Sequence, residues 1–209
     1  MTDSARALLA AARRLAETGL NPGSAGNLSV RTAQGFLITP SGIPPEELGA
    51  DMMVPMTLEG IPSGPWPPSS EWRFHRDLYR RRPEAGAVIH CHSPAATALA
   101  CHRRDLPPFH YMILRFGGPD VRCARYARFG TQALSDAVLE ALEGRRACLM
   151  ANHGMLVFGR DLPQALALAH ELETLCDHYL RALPLGEPVQ LTAEEIAEAQ
   201  QAIAGYGRR

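Results

Sequence analysis

The sequence predicts a mixed α/β layered fold, and two observations carry that expectation. Short apolar runs bounded by Gly, Pro, Asn and Ser alternate with longer amphipathic stretches of helical period. Some of the runs are joined by tight turns and others by helices, a combination expected of layered sheets with helices packed on them. The chain has 209 residues, 46% of them hydrophobic, which is enough for a full core. It shows no repeat, low-complexity tract or linker-like charge run, so one domain over residues 1–209 is expected.

Taken in order, the first helix is expected from Asp3 to Thr18, stopped by Gly19. Residues 20–29 are too rich in Gly, Asn and Ser to be anything but a shaped loop entering a strand. Leu28–Arg31 and Gly35–Thr39 read as two strands joined by a turn, and a third short strand falls at Met53–Thr57. Ser69-Ser70 caps a helix from Glu71 to Arg82, which Pro83 ends. The central strand is Ala87–Cys91, followed by a helix to Cys101 with Pro94 at its start. Residues 106–131 read as loop and short strand without a clear pattern. A helix at Leu134–Leu142, strands at Ala147–Met150 and Met155–Phe158, and a long helix at Leu162–Leu183 complete the order, with Thr192 capping a last one.

Composition excludes several function classes. A net charge of −1 leaves no basic footprint for nucleic acid, and the amphipathic N-terminus, broken by Arg13 and Arg14, is neither signal peptide nor membrane span. Five cysteines lack paired spacing and read as reduced thiols of a cytoplasmic protein. The chain has no lysine: all 21 basic residues are arginine. Schiff-base chemistry and a P-loop lysine are therefore both excluded. Any carbanion formed here needs a metal to stabilise it.

The stretch Val88-Ile89-His90-Cys91-His92 supplies the candidate ligands. Alternation along a strand aims His90 and His92 to one face and Cys91 to the other. His153, beside another apolar run, and Glu71, opening a helix, are the third and fourth candidates. Three histidines and one carboxylate suit zinc. His75, one helical turn after Glu71, is a rival ligand, with a packing role the preferred reading. The loops at residues 23–29, 41–42 and 69–70 offer hydroxyls and backbone N–H groups, which together suggest a phosphate held without lysine.

In order, GLNPGSAGNLSVR, FLITPSGIP, PSSEWRFH, VIHCH, HYMI, YARFGT, ANHG and the terminal Tyr206-Gly207 resemble the class II aldolase/adducin family, most closely its branch acting on L-fuculose 1-phosphate. The resemblance implies a three-layer α/β/α fold around a central, largely antiparallel sheet. It implies Zn²⁺ held by Glu71, His90, His92 and His153, and a phosphate pocket of Ser24, Asn27, Ser41, Gly42, Ser69 and Ser70. The reaction implied is cleavage of a phosphorylated sugar, a ketose 1-phosphate, to dihydroxyacetone phosphate and an aldehyde, with the metal stabilising the carbanion as an enediolate. Glu71 would leave the metal and shuttle the proton. Tyr111 would reach into a neighbouring subunit's site in a homotetramer, Tyr206 would lie near the aldehyde end, and Phe129 would form a wall there. Arg115, where small residues are usual, would put a cation beside that end. The family also includes ribulose-phosphate 4-epimerases, methylthioribulose-phosphate dehydratases and non-catalytic adducin heads; HYMI and the short tail favour the aldolase.

Overall fold

The computed structural model describes residues 2–205. Seven strands form one sheet: β1 (Asn27–Thr32), β2 (Gly35–Ile38), β3 (Val54–Met56), β4 (Ala87–Cys91), β5 (Cys123–Ala124), β6 (Ala147–Met150) and β7 (Gly154–Gly159). Their order is β3-β2-β1-β4-β7-β6-β5, and every described pairing is antiparallel except β5 with β6. The helices are α1 (Asp3–Glu17), α2 (Trp72–Arg81), α3 (Pro94–Cys101), α4 (Gln132–Ala141), α5 (Leu162–Ala182) and α6 (Ala193–Gly205). Among the described residues no helix is long and apolar enough to cross a membrane.

The helices cover the sheet from both sides, so the order is α/β/α. Leu8, Leu15, Leu99, Leu172 and Tyr179, from α1, α3 and α5, pack with Leu28, Ile89 and Val157 on one face. On the other face Phe74, Leu78, Leu134 and Val138, from α2 and α4, pack with Ile38, Val88 and Leu156. Capping follows residue type. Thr2, Thr131 and Asp161 side chains each accept a backbone N–H of the helix they start.

Expected boundaries move by a residue or two. Helix α4 begins at Gln132, two residues earlier than expected, because Thr131 takes the cap. Helix α2 begins at Trp72, and Glu71 sits at its cap position without bonding a helix N–H. Residues 106–131 resolve into an isolated bridge between Leu106 and Val121, a tight helical turn over Tyr111–Phe116, and the two-residue β5. Nothing in that segment has a period that reveals it beforehand.

Candidate metal centre

Strand register assembles the site. Asn27 of β1 lies opposite His90 of β4, and His90 lies opposite Leu156 of β7. Directly opposed residues share a face, so Asn27 and His90 look toward α2. His92 follows β4 immediately, and His153 precedes β7 in the turn from β6. Gly154 makes this approach possible. A Cβ there would lie 2.6 Å from the Cys91 carbonyl oxygen and 3.0 Å from His92 Cδ2. Asn152 adopts a left-handed backbone (φ 53°), tolerated by a short polar side chain whose oxygen accepts from Arg103 Nε at 2.8 Å.

The three imidazoles form a near-equilateral cluster. Ring centroids are 4.9 Å apart for His90–His92, 4.8 Å for His90–His153 and 4.8 Å for His92–His153, with the planes steeply tilted. One nitrogen from each falls within 4.8 Å of the others. Glu71, 5% exposed, closes the group: Oε2 is 3.2 Å from His90 Nε2 and Oε1 is 3.5 Å from His153 Nε2.

This arrangement is short of positive charge. His90 Nδ1 donates to the Met155 carbonyl at 2.8 Å, which leaves a lone pair on Nε2. That lone pair faces His92 Nε2 at 3.1 Å and the Glu71 carboxylate. Glu71 Oε1 is buried with no hydrogen-bond partner. Converging lone pairs and an orphaned carboxylate oxygen need a proton or a cation among them. A His₃–carboxylate donor set fits a divalent cation with nitrogen and oxygen ligands. Burial raises the Glu71 carboxyl, but the neighbouring His90, His153 and the Asn27 amide outweigh it and hold the group at about 2. Burial, reinforced by the neighbouring His90, lowers both His92 and His153 to about 4, despite the opposing charge of Glu71. His92 and His153 are thus neutral at pH 7, the form that binds metal.

The remaining expected site residues divide. Ser70 and Phe129 line a cleft of about 360 Å³ that opens onto Glu71, His92 and His153. Bonds of Ser41 N to the Pro67 carbonyl and Ser69 N to the Thr39 carbonyl bring the segments 39–42 and 67–70 side by side. Ser24, Ser41, Gly42 and Ser70 are exposed, and Gly42 has the positive φ (72°) that only glycine adopts freely. Ser69 and Asn27 are buried and already bonded within the chain. Ser69 is buried with its hydroxyl accepting from Glu71 N, and the Asn27 amide is turned inward onto Glu71 and His75. The pairing of Asn27 with His90 is the cause. His75 is fully buried and bonds Ser29 and Asn27, so it stands outside the converging donors.

Tyr111 is 51% exposed and lines a separate cavity of about 640 Å³ with Met112, Arg115, Ala199, Ala202 and Ile203. It does not reach the histidines of its own chain. Arg115 Nη1 lies 2.6 Å from Glu171, so its charge is paired within the chain. Tyr206 lies outside the described residues. Tyr126 and Asn152 also line the cleft and escaped the sequence reading. Tyr126 sits three residues before Phe129, within the YARFGT stretch already singled out.

Comparison with known proteins places the chain among aldolases. A 5-methylthioribulose-1-phosphate/5-deoxyribulose-1-phosphate aldolase of Rhodospirillum rubrum is 48% identical over 200 residues, spanning 96% of this chain and 90% of that protein. An L-fuculose phosphate aldolase of Escherichia coli K12 is 43% identical over 206 residues, 98% of this chain and 96% of its own. A solved L-fuculose 1-phosphate aldolase superposes with a TM-score of 0.93 at 40% identity, covering 98% of this chain and 97% of that one. With such relatives the chain is an enzyme, a lyase. Residues 6–180 match the Class II Aldolase and Adducin N-terminal domain, and the chain belongs to that family.

Proposed function

We propose that the chain, as a single domain, is a zinc-dependent aldolase that cleaves L-fuculose 1-phosphate to dihydroxyacetone phosphate and lactaldehyde. The observation that carries this reading is the orphaned Glu71 carboxylate oxygen beside three converging imidazoles. His90, His92, His153 and Glu71 would hold the cation. When bound, the cation supplies a Lewis acid for the substrate's carbonyl and takes up the negative charge left when the carbon–carbon bond breaks. Glu71 carries the proton between its free Oε1 and the substrate carbon, at the wall of a cleft small enough for a sugar phosphate. Ser70, with Ser24, Ser41 and Gly42, grips the phosphate through hydroxyl and amide groups. None of these four residues carries a charge, so the grip they offer is neutral. Phe129 and Tyr126 shield the aldehyde end.

In this reading the protein is a cytoplasmic homotetramer in which Tyr111, exposed on its own subunit, enters a neighbour's cleft, joined by Tyr206. A second reading has 5-deoxyribulose 1-phosphate or 5-methylthioribulose 1-phosphate as substrate, favoured by the 48% identity to an aldolase of that name. All these sugars share a ketose 1-phosphate head and differ at the apolar end.

A panel of ketose phosphates tests both, with dihydroxyacetone phosphate followed by NADH-coupled reduction. Release from L-fuculose 1-phosphate, abolished by a chelator and restored by Zn²⁺, is expected. Faster release from the 5-deoxy sugar selects the second reading. Interconversion of ribulose and xylulose 5-phosphates, or loss of water without dihydroxyacetone phosphate, defeats both.

A further inference from the structure

We propose that a buried chain of four hydrogen bonds, running from Tyr79 through Ser29, His75 and Asn27, positions Glu71 and has a single polarity, each group donating toward the carboxylate. The role of Glu71 in this proposal rests on the aldolase reading above. The links are short and lie wholly inside the protein. Asn27 Nδ2 donates to Glu71 Oε2 at 3.0 Å, and Asn27 Oδ1 is 2.6 Å from His75 Nε2. His75 Nδ1 is 2.7 Å from Ser29 Oγ, which is 2.8 Å from the Tyr79 hydroxyl.

Donor and acceptor inventory sets the direction. A carboxylate only accepts, so Asn27 must present its NH₂ to Glu71 and its carbonyl oxygen to His75. That oxygen also only accepts, so His75 carries its proton on Nε2. Burial, reinforced by the neighbouring His90, lowers His75 to about 3 despite the opposing charge of Glu71, so the ring is neutral and Nδ1 is an acceptor. Ser29 then donates to Nδ1, and its oxygen is left to accept from Tyr79. Burial raises the Tyr79 phenol, which keeps its proton available to donate.

The consequence falls on the atoms of Glu71. With Oε2 held by Asn27, Oε1 is the oxygen left without a hydrogen-bond partner. His75 acts as the latch on the Asn27 amide. Were the amide to flip, its oxygen would face the carboxylate and its NH₂ would face the Nε2–H of His75, two repulsive contacts at once. Apolar residues could fill positions 29, 75 and 79 without the desolvation cost of a buried polar chain. His75, Ser29 and Tyr79 are therefore positioning residues that act through Asn27.

Two measurements test this. Solid-state NMR of ¹⁵N-histidine-labelled, zinc-loaded protein, with His75 assigned by its loss in His75→Gln, reads the tautomer directly. A protonated Nε2 and bare Nδ1 support the chain, whereas a protonated Nδ1 overturns it. The second is a kinetic cycle of Asn27→Ala, His75→Leu and the double variant. If His75 acts through Asn27, His75→Leu lowers kcat about tenfold in the wild type, with KM little changed, and adds nothing in the Asn27→Ala background. Multiplying losses would mean that His75 has an independent, structural effect, and the proposal fails. His75→Gln, which can still donate to Asn27 Oδ1, is expected to recover part of the loss. Should His75→Leu not fold, Tyr79→Phe removes only the terminal donor and is expected to lower kcat about threefold. No change in kcat there excludes any action from Tyr79. A wild type that cleaves no ketose 1-phosphate defeats the aldolase reading alone; the NMR tautomer then decides the polarity of the chain by itself.

Discussion

On one face of β4, Ala87, Ile89 and Cys91 join an apolar cluster with leucines and alanines of α1, α3 and α5. On the other, Val88 and His90 share their face with Asn27 and Ser29, and polar groups of α2 descend on them: Glu71, His75 and Tyr79. The two faces are equally dry, since Ile89 and His90 are both fully buried. Burial on the first face removes apolar surface from water and stabilises the fold. On the second it desolvates polar groups, a cost offset by hydrogen bonds and, at the histidines, by whatever cation they hold. One strand thus carries stability on its odd positions and chemistry on its even ones.

The sharpest test breaks each face separately. His90→Ala is expected to lose bound metal and to lower turnover at least about a thousandfold, some 4 kcal/mol of transition-state stabilisation. Leu172→Ala, in the heart of the apolar cluster, is expected to cost about 3 kcal/mol of folding stability. Its turnover per folded molecule and its metal content stay as they were. Metal analysis, dihydroxyacetone phosphate release and urea unfolding on the same preparations give both columns. Equal loss of turnover in the two variants would show that the faces are not separable.

Acid should expose the same difference in the metal-free protein. His75 is held neutral by burial at about 3, against an ordinary value of 6.5. Between those limits the unfolded chain takes up a proton that the folded chain refuses. Stability from this residue is therefore whole above pH 6.5 and is lost as pH falls toward 3, on the order of 5 kcal/mol in all. His92 and His153, lowered to about 4, add loss of the same sign over a narrower window. Glu71 adds its share below 4.5, down to about 2. Urea unfolding of chelated protein at pH 7, 5.5 and 4.5 measures the slope. His75→Gln should flatten it and Leu172→Ala should not. An unchanged slope in His75→Gln would remove His75 as its cause.

How much of this could be read beforehand depended on the range of the cause. Helix α1, the Thr and Asp caps, and the same-face placement of His90 and His92 follow from neighbours a turn or two residues away. The order of the quoted motifs along the chain carried the resemblance, and with it the layered antiparallel sheet. Asn27 is the instructive case. Locally it belongs to a Gly- and Ser-rich loop suited to an anion, but its register opposite His90, 63 positions away, turns its amide onto Glu71. The Glu71 carboxylate likewise bonds no N–H of the helix it caps; it lies beside His90 and His153 and accepts from the Asn27 amide instead. Residues 106–131 hide for the same reason: β5 exists only through its parallel partner β6.

Cys91 gives the smallest effect and the finest discrimination, because it lies between two of the proposed ligands and carries a sulfur that a soft divalent cation would accept. Backbone alternation aims it into the apolar cluster, where it is fully buried. Burial pushes its thiol up to about 12, and the negative charge of Glu173 adds to that, so it is no thiolate at neutral pH. Cys91→Ala is therefore expected to leave zinc stoichiometry and turnover unchanged and to cost about 1 kcal/mol of stability, the price of one small buried group. Iodoacetamide should modify exposed Cys101 in the folded protein and leave Cys91 untouched. A drop in zinc content in Cys91→Ala would mean that the sulfur reaches across the strand to the histidines. The two faces of β4 would then form one site, and the separation of stability from chemistry along this strand would not hold.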